Sequence, residues 1–272
     1  MLETLPRTNQ IGAVAEAWRP PLFRPIVSPW DRAVAAARRF LDLQAGSIWR
    51  DLAVLLPQSR GVLLDVGCGA QPYRPLLDPR VTYKAIDYAG ASSAFGYSTP
   101  DTTYYEGDRW PIDDGSVDVV LSTETLEHVP EPSAFLAEAF RCLRPGGRIL
   151  LTVPFAARWH YIPHDYWRFT PSGLERLLSA AGFGRIAVFA RGNAVTVACY
   201  KVMALLLRLL MPQHGGFLRR SALRACGLVA APLLVLLAGI GTLSLQGQGG
   251  DDCLGYTAVA EKSVPRPEAG SA

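Results

Sequence analysis

Leu63-Leu64-Asp65-Val66-Gly67-Cys68-Gly69-Ala70 is a short apolar run that breaks into a glycine loop. Such a run reads as a buried strand that delivers the chain to the edge of a sheet. Two glycines one residue apart allow positive φ and let a ligand approach bare backbone. Gly-x-Gly alone is a weak signature. A dinucleotide site wants a third glycine to seat the helix on the strand, and position 72 is Pro72. Asp65 precedes the loop, where a carboxylate can orient a cationic amino-acid end. Asp87 ends the next apolar run, about 20 positions on, where it is placed to bind a ribose diol.

Outward from this stretch the pattern is periodic. Apolar runs at 62–66, 83–87, 103–107, 117–122, 148–153, 185–190 and 255–261 alternate with helical segments, which is the sign of a parallel sheet with helices on its faces. Segments 132–143 and 171–181 each begin with proline in the first turn and are followed by Gly146 or Gly182, as helices are. Asp118 starts a strand, and Pro145-Gly146-Gly147 is read as the turn feeding Ile149. Before the sheet, residues 30–56 carry apolar side chains at helical spacing and form one or two entry helices.

Runs 194–211 and 225–243 depart from this pattern, because both are strongly apolar and the second has about 19 uncharged residues in succession. Arg219, Arg220 and Arg224 stand just before it, where cations meet a headgroup layer. Gly227, Pro232, Gly239 and Gly241 weaken it as a straight span. Because 255–261 must pair in the sheet, one crossing would strand it on the wrong side. The pair of runs therefore crosses twice, dips and returns, lies in the interface, or packs dry on the domain or a second copy.

Length and composition bound the rest. At 272 residues with 49% hydrophobic and 19% charged, the chain can bury one substantial α/β core with extra helical material. A net charge of +3 without a Lys/Arg block disfavours nucleic acid as a partner. The five cysteines are scattered with no Cys-x-x-Cys pair, which argues against disulfides and structural zinc and fits a reducing cytosol. Residues 1–20, with Glu3, Arg7, Glu16 and Arg19, hold no apolar core of a secretory signal, so the protein is expected in the cytoplasm, peripheral to or embedded at the cytoplasmic membrane face.

Five motifs occur in order: the glycine loop; Glu106-Gly107-Asp108-Arg109-Trp110-Pro111; Asp113 to Ser122; Glu124-Thr125-Leu126-Glu127-His128-Val129; and Leu143-Arg144-Pro145-Gly146-Gly147-Arg148. In this the chain resembles the class I S-adenosylmethionine (SAM) dependent methyltransferases of the type 11 group, over roughly residues 62–155. The resemblance implies an α/β, Rossmann-like seven-stranded methyltransferase sheet with N-terminal helices and an apolar helical insert before the last strand. The expected division is a helical segment at 1–60, the SAM core and acceptor lid at 61–192, the apolar hairpin at 193–246, and the last strand and tail at 247–272.

It also implies SAM as cofactor and assigns contacts by position. Asp65, Gly67, Cys68 and Gly69 surround the methionine moiety, Asp87 and Tyr88 meet the ribose, and Asp108 lies near the adenine amino group. Arg109 and Trp110 flank the ring, with Trp110 replacing the family's usual leucine. Thr123 and Glu124 line the cofactor near its sulfonium. Cys68 is read as a small filler whose backbone matters more than its sulfur.

After the fifth strand comes Trp159-His160-Tyr161-Ile162-Pro163-His164-Asp165-Tyr166-Trp167-Arg168-Phe169-Thr170, dense in rings and polar tips. It resembles a segment of methyltransferases from bacterial cell-surface polysaccharide and lipid gene neighbourhoods, which implies a small-molecule, glycan or lipid-linked acceptor. His160, Asp165, Tyr166, Trp167 and Arg168 are the candidate acceptor contacts, with Arg168 either binding an acceptor anion or clamping Asp165 or a backbone carbonyl. For a hydroxyl acceptor, His128 and His164 are the candidate bases. His160 and His164 have metal-like spacing, but Pro163 interrupts any helix and no third ligand is evident, so no metal is expected. The competing readings are a dinucleotide oxidoreductase and a non-catalytic scaffold on the same fold.

Overall fold

The strand and helix boundaries follow from local chemistry. In the computed structural model, which describes Glu16, residues 18–23 and residues 26–264, Ser28 and Asp31 cap the first helix reciprocally, Ser28 Oγ accepting from the Asp31 amide at 3.1 Å and Asp31 Oδ2 from the Ser28 amide at 2.9 Å. That helix, α1 (Pro29–Leu41), is followed by α2 (Leu43–Leu55), capped by Asp42. The readings of Glu3 and Arg7 lie outside the described residues. Further on come β1 (Val62–Val66), β2 (Thr82–Tyr88), the short α3 (Ala91–Phe95), β3 (Thr103–Tyr105), β4 (Val117–Thr123), α4 (Pro132–Cys142), β5 (Leu143–Pro154) and α5 (Pro171–Ala180). The chain ends through β6 (Phe183–Arg191), α6 (Ala194–Leu210), α7 (Phe217–Ser244) and β7 (Gly255–Lys262).

The seven strands form one sheet in the order β3-β2-β1-β4-β5-β7-β6. All neighbours are parallel except β7, which runs antiparallel between β5 and β6. The parallel sheet expected from the alternating pattern is therefore mixed. The reason lies in the connection: α6 and α7 run out and back, so the chain re-enters the sheet at the end it left. Pro145-Gly146-Gly147 is likewise no simple turn. It bulges within β5, between the pairs Val117 with Leu143 and Val119 with Arg148. Asp118 anchors this edge, accepting from the Val62 amide at 2.7 Å and pairing with Arg144.

Alternation along each strand sends side chains to two cores. Leu64 and Val66 of β1 join Val120, Ile149 and Leu151 against Leu136 of α4 and Leu174 and Leu178 of α5. Leu63, Leu121 and Leu150 face the other way, onto Ile48 and Leu52 of α2. A third cluster knits Val197 and Met203 of α6 to Leu234 and Ala238 of α7 and to Leu43 of α2, so the apolar hairpin shares its core with the entry helices. Among the described residues α7 is the one helix long and apolar enough to cross a membrane by length and composition, and 22% of its most apolar window is buried. Leu228, Val229, Leu233, Leu236, Ile240 and Leu243 stand exposed along it.

Candidate cofactor and acceptor site

In the order β3-β2-β1-β4-β5 the direction of winding reverses between β1 and β4, and open α/β sheets bind ligands at the carboxyl ends of strands at such a point. A cavity of about 310 Å³ lies there. Its floor is Gly67 to Ala70 after β1, Asp87 at the end of β2, Thr123 to Thr125 after β4 and Pro154 after β5. The walls come from elsewhere: Asp42 and Ile48 of the entry helices, Tyr200, Met203 and Leu207 of α6, and Arg158, His160 and Tyr161 of the loop after β5. Glu16 and Trp18 close the top, Glu16 bonding Arg158 at 2.9 Å and the Tyr161 amide at 3.0 Å, and Trp18 Nε1 donating to the Met211 carbonyl at 2.9 Å.

The glycine loop is tied from three sides. Gly67, at φ +69°, has the Thr125 side chain where a Cβ would stand, and Thr125 Oγ1 lies 3.4 Å from its carbonyl. Asp87 accepts from the Gly69 amide at 3.0 Å and from the Tyr88 amide at 2.8 Å, and burial pushes its carboxyl upward. Asp65 sits beneath the loop, 2% exposed, with Oδ2 accepting from Tyr83 Oη at 2.7 Å and Oδ1 without a hydrogen-bond partner among the described residues. Desolvation lifts it to about 7, against the smaller opposing effect of the tyrosine. Cys68 is buried and its thiol is pushed up by desolvation and by Asp65, as suits a filler.

Glu124 follows β4 in the left-handed region, at φ +48°, where non-glycine residues cluster at functional sites. Its amide donates to the Thr152 carbonyl at 2.9 Å, and its carboxylate pairs at 2.8 Å with Arg191, whose side chain is fully buried and also reaches the Val153 carbonyl at 2.9 Å. Sequence reasoning missed Arg191. The available signal was an arginine closing the otherwise apolar end of β6.

Of the residues predicted to hold the cofactor, Gly67, Cys68, Gly69, Asp87, Thr123 and Glu124 line the cavity. The adenine-side assignments are not brought to it. Trp110 is 3% exposed in the core, edge-on to Phe135 at 5.0 Å, because a ring of that size after β3 fills the gap over α4 instead of forming an open wall. Asp108 is exposed, Arg109 is exposed and pairs with Asp114 at 3.3 Å, and Tyr88 is 54% exposed.

On the acceptor side, His128 and His160 line the cavity with their rings edge to face at 5.0 Å. His164 does not line it. Its ring lies 6.2 Å from Phe95, and its carbonyl receives His128 Nδ1 at 2.6 Å. His160 is thus brought together with His128, not with His164 as the spacing suggested. Burial and then the neighbouring His160 push His128 down to about 4, so its ring is neutral at neutral pH. Arg168 grips Asp165 at 2.6 and 2.8 Å and the Arg158 carbonyl at 2.8 Å, which makes it a clamp on the loop. Burial would raise the Asp165 carboxyl, yet Arg168 and His160 hold it well below the usual range. Tyr166 and Trp167 are exposed outside the cavity, their amides donating to the Glu127 carbonyl at 2.8 and 3.3 Å. Glu127, fully buried, was quoted only as part of a motif and given no role.

The orphaned Oδ1 of Asp65, the loop that a Cβ would obstruct at Gly67, and Asp87 at the cavity edge fit an adenosyl cofactor with a cationic amino-acid end. Comparisons with known proteins agree. A methyltransferase-domain family model matches residues 37–188. A malonyl-[acyl-carrier protein] O-methyltransferase of Alcanivorax borkumensis is 28% identical over 159 residues, covering 54% of this chain and 54% of that protein. A ubiquinone biosynthesis O-methyltransferase of Psychrobacter arcticus is 34% identical over 157 residues, covering 45% of this chain and 59% of the relative. The matches thus span little more than half the length of these relatives. Among solved structures, a SAM-dependent methyltransferase of Thermotoga maritima shares the fold, with a TM-score of 0.50 and 16% identity over 86% of this chain and 94% of that one. The chain belongs to the methyltransferase-domain family, with the seven-stranded sheet of the class I SAM-dependent methyltransferases.

Proposed function

We propose that the protein transfers a methyl group from SAM to a hydroxyl of a lipid-linked acceptor at the cytoplasmic face of a membrane. The observation that carries this reading is that one hairpin builds both surfaces the reaction needs. Tyr200, Met203 and Leu207 of α6 line the cavity, and α7, packed against α6 and the entry helices, presents the exposed apolar face with Arg219 and Arg224 at its start. Because α6 is committed to the cavity and β7 to the sheet, the hairpin is best suited to lying in the interface, and not to crossing the bilayer. The O-methyltransferase names of the two relatives favour a hydroxyl or carboxyl oxygen as acceptor.

SAM supplies an already activated methyl, so the protein's work is alignment and exclusion of water. Gly67 to Gly69 offer backbone to the methionine end, Asp65 the balancing carboxylate beneath it, and Asp87 the ribose contact. Glu124, fixed by Arg191, lines the cavity floor. His128 lines the acceptor side with Nδ1 held against the His164 carbonyl, which fixes its ring. The loop at 158–168, clamped by Arg168 and Asp165, closes the acceptor side.

The test is transfer of labelled methyl from SAM in the presence of native membranes. Label is expected in the organic-extractable fraction, reduced about tenfold or more when Leu228 and Val229 are both changed to glutamate in a protein that still binds S-adenosylhomocysteine. Label confined to water-soluble products, insensitive to those changes, would overturn the lipid-linked acceptor.

A further inference from the structure

The turn after β4 buries a carboxylate that no hydrogen bond explains. Glu127 is 0% exposed, and among the described residues neither Oε1 nor Oε2 has a hydrogen-bond partner. An unpaired buried charge of this kind costs several kcal/mol, so such a group ordinarily has a proton or a cation beside it. What faces it is His128, with Nε2 3.6 Å from Glu127 Oε1. His128 Nδ1 lies against the His164 carbonyl at 2.6 Å, so the ring proton sits on Nδ1 and Nε2 presents a bare lone pair. Burial pushes the Glu127 carboxyl well up, so the pair is reconciled either by a proton on Glu127 facing Nε2 or by a cation between two acceptors.

His160 completes the set. Its Nδ1 is flanked by Asp165 Oδ2 at 2.8 Å and the Arg158 carbonyl at 3.1 Å, two further acceptors, which again puts the ring proton on Nδ1. A carboxylate oxygen of Glu127 and one ring nitrogen from each histidine lie within 4.8 Å of one another. Tetrahedral zinc, with bonds of about 2.0–2.1 Å, wants its donors about 3.4 Å apart, so a modest contraction closes the trio. The surroundings are those of ligands already aimed. Each histidine gives its other nitrogen to a carbonyl or carboxylate, and Asp165 is itself gripped by Arg168.

We propose that Glu127, His128 and His160 form a binding site for a borderline divalent transition metal such as Zn²⁺, at the rim of the cavity. Two imidazoles and one carboxylate suit that class over Mg²⁺ or Ca²⁺, which take oxygen. His128 and His160 both line the cavity, so an ion held by them borders it; only its relation to the methyl acceptor rests on the function proposed above.

The experiment uses the full chain, stripped with chelator and titrated with Co²⁺ and then Zn²⁺, with S-adenosylhomocysteine binding measured in parallel to report folding. Expected are one Co²⁺ per chain with visible ligand-field bands, displacement by Zn²⁺, and a loss of at least tenfold in affinity in Glu127→Gln and in His160→Ala. Asp165→Asn weakens the site about tenfold by releasing His160, and His214→Ala, far from the trio in sequence, leaves it unchanged. A wild-type protein that binds S-adenosylhomocysteine but takes up no stoichiometric Co²⁺ or Zn²⁺ would overturn the site and make Glu127 a protonated carboxyl donating to His128. Uptake that survives in both Glu127→Gln and His160→Ala would overturn it too.

Discussion

Asp65 holds a carboxyl lifted from the usual 3.8 to about 7 by burial, under a loop that the fold cannot move. The linkage runs one way. Unfolding lets this group ionise at the lower value, so its contribution to stability is fully present below about pH 4 and is lost as pH rises through 7, up to ~4 kcal/mol over that window. Stability against urea is expected to fall between about pH 4 and 7 and to level off above, and Asp65→Asn, which keeps an acceptor for Tyr83, is expected to flatten that part of the profile. Equal slopes in the two proteins would show that the charge at Asp65 does not matter to the fold. Gly67, Gly69, Asp87, Thr123, Glu124, His128 and His160 were all legible as cavity residues, because each sits at or just beyond a strand's carboxyl end and parallel strands bring those ends together. Asp42, which also lines the cavity, was not, since its place depends on how the entry helices cover the sheet, nor were Arg191 and Glu127, buried against the lining residues Glu124 and His128. Trp110 was misread for the same reason: its ring went into the core.

At the scale of elements, the glycines of α7 read from sequence as weaknesses in a span, but Gly227 is a packing device. A Cβ there would meet the Leu210 amide nitrogen at 2.8 Å, so the glycine lets α7 approach the end of α6 closely. Gly239, on the same helix, would place its Cβ in open space. The two positions therefore predict opposite signs in thermal unfolding. Gly227→Ala is expected to destabilise by about 1–3 kcal/mol through forced separation of the helices, whereas Gly239→Ala gains about 0.5–1 kcal/mol from helix propensity alone. A neutral Gly227→Ala would mean the hairpin is not packed as described. The seven strands and the entry helices were readable from period, α4 and α5 from proline-glycine punctuation, and α6 and α7 from their apolar runs. The antiparallel run of β7 and the bulge at 144–147 were not, because both are set by how a connection returns to the sheet and not by the residues of the strand itself.

Over the whole molecule, three parts of the chain distant in sequence make one site. The glycine loop and Asp87 come from the sheet, while Tyr200, Met203 and Leu207 come from a hairpin inserted before the last strand, and Glu16 and Trp18 from the entry segment lie across the opening. Motif reading found the first part because it lies in contiguous sequence. The second part became visible only when α6 packed over the sheet's carboxyl edge. The first measurement is titration calorimetry of the full chain with SAM and S-adenosylhomocysteine, beside NAD. Both adenosyl ligands are expected to bind, NAD is not, and Asp87→Ala is expected to lose at least tenfold in affinity, about 1.4 kcal/mol; a folded protein that binds neither adenosyl ligand, or that prefers NAD, has no SAM site at the glycine loop.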